Sequence, residues 1–226
     1  RRREKIKNIK KKKIIDLGYP YFDYLKNKLD RTKFDKSNNI LVAPSWNYNE
    51  KNFINEDFSL IIDSLLEAGF NVIFRPHPEH FKRSKKFIED IKNKNLNKNF
   101  LFDNENENFS SMQKSISLIT DNSGIAIEYS LIIKRPVFYY DSLKKTHNSD
   151  IDDFNDMFNL EETLKNNFGY IFNYSNIINL GEFISNNIIN FNNTKKDNLD
   201  RFLYKNFFNV YKKKLFIKKN INNFIF

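Results

Sequence analysis

Leu118-Ile119-Thr120-Asp121-Asn122-Ser123-Gly124-Ile125-Ala126-Ile127-Glu128 reads as a buried strand ending at Asp121, a tight turn over Asn122-Ser123-Gly124, and a helix that starts at once. Strand, turn and helix in immediate succession form the repeating unit of a parallel sheet covered by helices. Such a turn aims free backbone N–H groups and the positive end of a helix dipole at one spot, which suits a phosphate. Ser123 adds a hydroxyl, Gly124 lets a ligand approach the backbone, and Glu128 places a carboxylate one helical turn on. The same residues also read as an ordinary helix N-cap cluster with Glu128 on the helix surface. Eleven residues alone do not separate the two readings.

Phe74-Arg75-Pro76-His77-Pro78 ends a second apolar strand. Its two prolines fix the backbone on either side of His77. A rigid His beside an Arg suits phosphate contact or acid–base work; the plainer alternative is a stiff turn whose His caps a carbonyl. If the two strands are neighbours, their ends meet, and Arg75, His77, Ser123 and two carboxylates share one site. Ser45-Trp46-Asn47 follows a third strand, where Trp46 either stacks on a substrate or covers the core edge. His147 lies in a loop after Tyr139-Tyr140-Asp141 and within reach of the same crevice. His80 reads as an exposed surface residue, and with His77 it makes no metal pair, because no third ligand has suitable spacing. Glu79 and Lys82 to Lys86 read as a solvated helix face. No dinucleotide fingerprint, phosphate-loop motif or Ser-His-Asp order is present.

Further strands are expected at 14–18, 40–43, 71–74, 100–102, 117–120, 136–140 and 170–172. Helices are expected at 21–29, 58–68, 81–91, 109–115, 125–133, around Thr163, at 176–191 and at 197–223. The alternation over 40–140 implies a Rossmann-like parallel sheet with helices on both faces, its ligands bound beyond the carboxyl ends of the strands. Pro44-Ser45-Trp46, Arg75-Pro76-His77, Asp103, Asp121-Asn122-Ser123-Gly124 and Asp141 all fall at such ends.

The net charge of +10 is uneven along the 226 residues. Residues 1–13 hold nine of the 38 basic residues and one of the 28 acidic ones, a net of +8; the rest carry 29 against 27, a net of +2. A near-neutral body argues against a nucleic-acid-binding module built on the basic tail, which reads as a solvated extension or a contact to anionic lipid. The expected division is a tail over 1–13 and one α/β domain over 14–226 with closing helices. No cysteine is present, so disulfides and thiolate metal sites are excluded. No apolar run reaches the length of a membrane span. The first residue is Arg rather than Met, which is read as the mark of a fragment.

Gly18-Tyr19-Pro20 with Phe22-Asp23, Leu41-Val42-Ala43-Pro44-Ser45-Trp46, Phe74-Arg75-Pro76-His77-Pro78, Ile119 through Glu128, and Lys134-Arg135-Pro136-Val137 stand in one order. This ordered set resembles the CDP-glycerol glycerophosphotransferase family, the teichoic-acid and capsule polymer transferases of bacteria. The resemblance implies the C-terminal, donor-binding half of a two-domain glycosyltransferase-B architecture. It implies a CDP-glycerol donor, a polymer or lipid-linked acceptor, a missing N-terminal domain, no required cofactor or metal, and a peripheral place at the cytoplasmic membrane face. By the same resemblance His77 is the catalytic or phosphate-binding His, and Arg75, Asp121, Asn122, Ser123, Gly124 and Glu128 hold the donor. The family often has a second Ser where this chain has Gly124. A Ser-Gly turn also resembles that of UDP-sugar 2-epimerases and hexose transferases of the same architecture, which are the alternative reading.

Overall fold

A computed structural model describes residues 20–31, 38–46, 53–54, 56–96, 98–141 and 159–207. The basic tail, the expected strand at 14–18, His147 and the end of the last expected helix lie outside the described residues.

The apolar runs form six strands: β1 (Asn39–Val42), β2 (Asn71–Phe74), β3 (Phe100–Phe102), β4 (Ser115–Thr120), β5 (Val137–Tyr140) and β6 (Tyr170–Phe172). All five pairings are parallel, and the order across the sheet is β3-β2-β1-β4-β5-β6. The inner strands are buried almost throughout, as parallel strands covered on both faces must be. The edges are shorter and expose Leu101 and Ile171.

The helices in chain order are α1 (Pro20–Asp30), α2 (Glu56–Glu67), α3 (Pro78–Arg83), α4 (Lys85–Lys94), α5 (Phe109–Lys114), α6 (Ile125–Glu128), α7 (Leu160–Phe168), α8 (Leu180–Asn190) and α9 (Lys196–Phe207). In α2, Phe58, Ile61, Ile62 and Leu65 are wholly buried, the i, i+3, i+4, i+7 stripe of a helix lying on a core. Gly69, with φ of +82°, stops the chain after α2 in the left-handed region that glycine enters freely. A Cβ at Gly181 of α8 would stand 2.2 Å from Ala68 Cβ, so only glycine permits that close crossing.

Three expectations are corrected, and one condition is not met. The helix expected over 81–91 is two helices, because the backbone departs from helical geometry at Ser84. The helix expected over 125–133 is α6 followed by a wide π turn over Tyr129–Ile133, closed by Lys134 at φ 57°. The segment expected as a helix over 176–191 is a 3-10 turn over Tyr174–Asn179 followed by α8. Finally, β2 and β4 are not neighbours: β1 lies between them, so their ends stand two strand spacings apart, about 10 Å.

Register brings the strand ends to one edge of the sheet. Val42 pairs with both Phe74 and Ile119, and Phe74 pairs with Phe102. The ladder continues one residue further: Ala43 N–H donates to Ile119 O, Arg75 N–H to Val42 O and Asp103 N–H to Phe74 O, at 2.9, 2.9 and 2.8 Å.

Candidate functional site

The sheet order reverses direction between β1 and β4, and the crevice outside such a switch point is where doubly wound sheets take ligands. Here the crevice is floored by Ser45 and Asp121. The Asp121 carboxylate accepts the Ser45 backbone N–H at 2.7 Å and the Ser45 hydroxyl at 2.5 Å. Thr120 Oγ1 donates to Ala43 O at 2.6 Å. Asp121 is 2% exposed and Ser45 3%, so both side chains serve as a clamp between β1 and β4.

Beyond the clamp the turn opens. Gly124 is the N-cap of α6, and no side chain caps the helix there. Its φ of −57° and ψ of −24° are helical, and a Cβ added to it would meet nothing within 4 Å. Glycine is therefore not required there by the backbone, and the face above it is clear. Ala126 N–H and Ile127 N–H donate to the Ser123 and Gly124 carbonyls at 3.0 and 3.1 Å, while the amides preceding them have no acceptor inside the helix. Asn122 and Ser123 are half-buried. Glu128, half-buried, accepts from Asn108 Nδ2 at 3.0 Å. Burial pushes its carboxyl above the usual value, against the opposing hydrogen bond from Asn108.

On the other side of β1, Pro76 is buried and His77 exposed. His77 Nδ1 accepts the Glu79 N–H at 3.2 Å and so caps α3. With Nδ1 acting as an acceptor, a neutral ring carries its proton on Nε2. The ring stacks on Trp46, centroids 6.4 Å apart and planes 21° apart. The Arg83 guanidinium lies over Trp46 at 5.0 Å. Arg75 is clamped: its guanidinium donates to Asp103 Oδ2 at 2.7 Å and to Glu105 O at 2.8 Å. Ser111 Oγ and the Glu105 N–H also donate to Asp103. Burial alone would raise the Asp103 carboxyl; these hydrogen bonds and the Arg75 charge outweigh it and hold the carboxyl below its ordinary value.

His80, expected on the surface, is completely buried. Its Nε2–H donates to the Ser45 carbonyl at 3.1 Å, so β1, β4 and α3 are fastened through one residue, Ser45. The sequence carries only a weak signal for this, a His on the first turn of a six-residue helix whose other side is charged. The structure thus joins Ser45 to Asp121 and Trp46 to His77 at the strand ends that also carry the turn Ser123-Gly124, ties Arg75 to Asp103 and Glu105 after β3, and ties Glu128 to Asn108. Among the described residues, no three His, Asp or Glu side chains cluster as metal ligands.

Two cavities flank the Arg75–His77 segment. One, of about 520 Å³, is lined by Asp103, Glu105 and Glu107 against Lys114. The other, of about 510 Å³, is lined by Arg83, Lys85 and Lys86 against Asp90.

A six-stranded parallel sheet in this order, with candidate residues at its strand ends, defines a doubly wound α/β domain. The chain belongs to the family described as CDP-glycerol:poly(glycerophosphate) glycerophosphotransferase, which matches residues 3–167. The wall teichoic acid polymerase TagF has the same fold at 23% identity, over 94% of this chain and 53% of that one, with a TM-score of 0.58. A His-to-Asn variant of TagF soaked with CDPG for 30 minutes matches at 22% identity, over 94% of this chain and 52% of that one, with a TM-score of 0.54. The UDP-GlcNAc 2-epimerase of Methanocaldococcus jannaschii, solved with UDP-GlcNAc and UDP, is a weaker likeness from which nothing about this site follows: 17% identity, 79% of this chain, 49% of that one, TM-score 0.49. No curated protein matches the sequence. The chain spans about half the length of the solved TagF structures. No helix among the described residues is long and apolar enough to cross a membrane.

Proposed function

We propose that this chain is the donor-binding half of a transferase that moves glycerol phosphate from CDP-glycerol to a polymer or lipid-linked acceptor at the cytoplasmic face of the membrane. The observations that carry the reading are the turn Ser123-Gly124 after β4 and the stacked His77–Trp46 pair after β2 and β1, all at one edge of the sheet in a chain of this family. In the reaction the acceptor oxygen attacks the glycerol-bearing phosphorus, the phosphoanhydride P–O bond breaks, CMP leaves, and the acceptor proton is released. Turn amides and the Ser123 hydroxyl take charge on the diphosphate, as preorganised donors do at low cost. His77 has its Nδ1 engaged by Glu79, so its Nε2–H suits donation to a phosphate oxygen better than removal of the acceptor proton. Glu128, half-buried and bonded to Asn108, suits a sugar hydroxyl.

Isothermal titration of the full chain with CDP-glycerol, CDP and UDP tests this. CDP-glycerol and CDP bind, UDP binds more weakly, and His77→Ala weakens both cytidine ligands. A preference for UDP would redirect the reading to a UDP-sugar enzyme of the same architecture. Heat-free titrations with every nucleotide at millimolar concentration, on folded protein, would end it.

A further inference from the structure

The two cavities beside the Arg75–His77 segment are nearly equal in size and opposite in charge. The one beyond β3 sets three carboxylates against one lysine. The one at the α3–α4 junction sets three cations against one carboxylate and has Ile54 and Phe87 in its wall. The first touches Arg75 through Asp103 and Glu105; the second meets the His77–Trp46 pair through a row of rings and charge, His77 stacked on Trp46 and Arg83 over the Trp46 ring. The family description supplies a polymer of known chemistry, poly(glycerophosphate), which repeats a phosphodiester charge along a short carbon chain. Cations along a shallow trough fit its phosphates, and Ile54 and Phe87 fit its carbons.

The acids near these cations do not hold them tightly. Lys82 and Arg83 meet Glu79 at 2.9 and 3.4 Å, and Lys85 meets Glu89 at 3.8 Å, all on exposed helix faces. Exposed pairs at helical spacing are weak and screened by salt, so a polyanion displaces them readily. The same residues were expected from sequence to be only a solvated face; their position at the end of the His77–Trp46 row gives them a further use.

We propose that the Arg83–Lys86 face is the surface along which the phosphodiester chain of the polymer acceptor lies as it enters the site beside Trp46. The inference rests on the proposed function, and it adds the route of the acceptor.

The test measures binding of a short oligo(glycerol phosphate) to the full chain by fluorescence anisotropy, beside CDP titration and urea unfolding of the same samples. Lys85→Gln/Lys86→Gln is expected to weaken the oligomer on the order of tenfold at low salt and to flatten its salt dependence. CDP affinity and the urea midpoint stay where they are, and Lys85→Arg/Lys86→Arg keeps the oligomer. Unchanged oligomer affinity in the Gln pair while CDP still binds overturns this inference alone. Loss of binding to phosphatidylglycerol vesicles with oligomer binding unmoved also overturns it and assigns the face to a lipid surface. Wild-type chain that holds the oligomer but no nucleotide leaves the surface standing and removes the proposed donor site instead.

Discussion

The loops on either side of β1 solve opposite problems. After β2, Arg75-Pro76-His77-Pro78 is fastened at every step: Arg75 to Asp103 and Glu105, His77 to Glu79, and His80 to Ser45. After β4, Asp121 is fastened to Ser45, and the chain then runs into Asn122-Ser123-Gly124, with nothing near a side chain at 124. A ligand held between the two meets one fixed jaw and one accessible set of amides. Fixing the jaw lowers the ordering cost of binding; leaving the turn uncovered gives room for a bulky phosphate. The contrast shows that residues grouped by sequence as one binding set divide into supports and contacts.

The strongest way to break the contrast is to release the support of the open turn. Asp121→Ala leaves the buried Ser45 N–H and hydroxyl without their acceptor and is expected to cost about 3 kcal/mol of stability. Asp121→Asn keeps one acceptor oxygen and costs less. Urea unfolding reads both, and equal midpoints for wild type and the Ala variant would mean that β1 and β4 need no clamp.

The next effect falls on the fixed jaw. Arg75→Met removes the partner of a carboxylate whose side chain is 4% exposed and costs about 1–3 kcal/mol at neutral pH. Its pH dependence has a definite sign. The Asp103 carboxyl is lowered in the folded state from an ordinary value of 3.8. Its stabilisation is therefore complete above the unfolded value and is lost as pH falls through the lower folded value. Arg75→Met lifts the folded value, so the gap between wild type and variant is widest above the unfolded value and shrinks in acid. Urea midpoints at neutral, mildly acid and strongly acid pH give the comparison; a gap that grows on acidification contradicts the assignment.

The sequence makes the strands readable because each is a largely apolar run closed within two residues by Pro, Asp or Asn, and burial on both faces leaves little alternation to confuse them. It also placed Ser45, Arg75, His77 and Asp121 at strand ends. It carries no direct trace of strand order, and so whether β2 and β4 are neighbours is left as a condition that the sheet order does not meet. Contacts across the fold were equally hidden. His80 is buried because a carbonyl 35 residues away meets it, and Arg75 faces a carboxylate 28 residues on. The break at Ser84 lies inside a run of good helix formers, Lys82-Arg83-Ser84-Lys85-Lys86, where local preference favours continuation. The tertiary position of α4 decides it: Ile88 and Ile91 are buried.

The smallest effect probes the open side. Because the backbone at Gly124 is already helical and no atom lies within 4 Å of a Cβ there, Gly124→Ser is expected to fit without strain. It restricts the unfolded chain and adds a helix-start hydroxyl, so stability rises by about 0.5 kcal/mol. The new hydroxyl also stands beside Ser123 on the face proposed for the diphosphate. If that face binds phosphate, CDP affinity is kept or improved, as another donor there would do. If CDP affinity instead falls while stability rises, the ligand needs the bare backbone at 124, and the missing Cβ is a requirement of close approach. The two measurements on one variant therefore separate a glycine that merely tolerates its place from one the ligand selects.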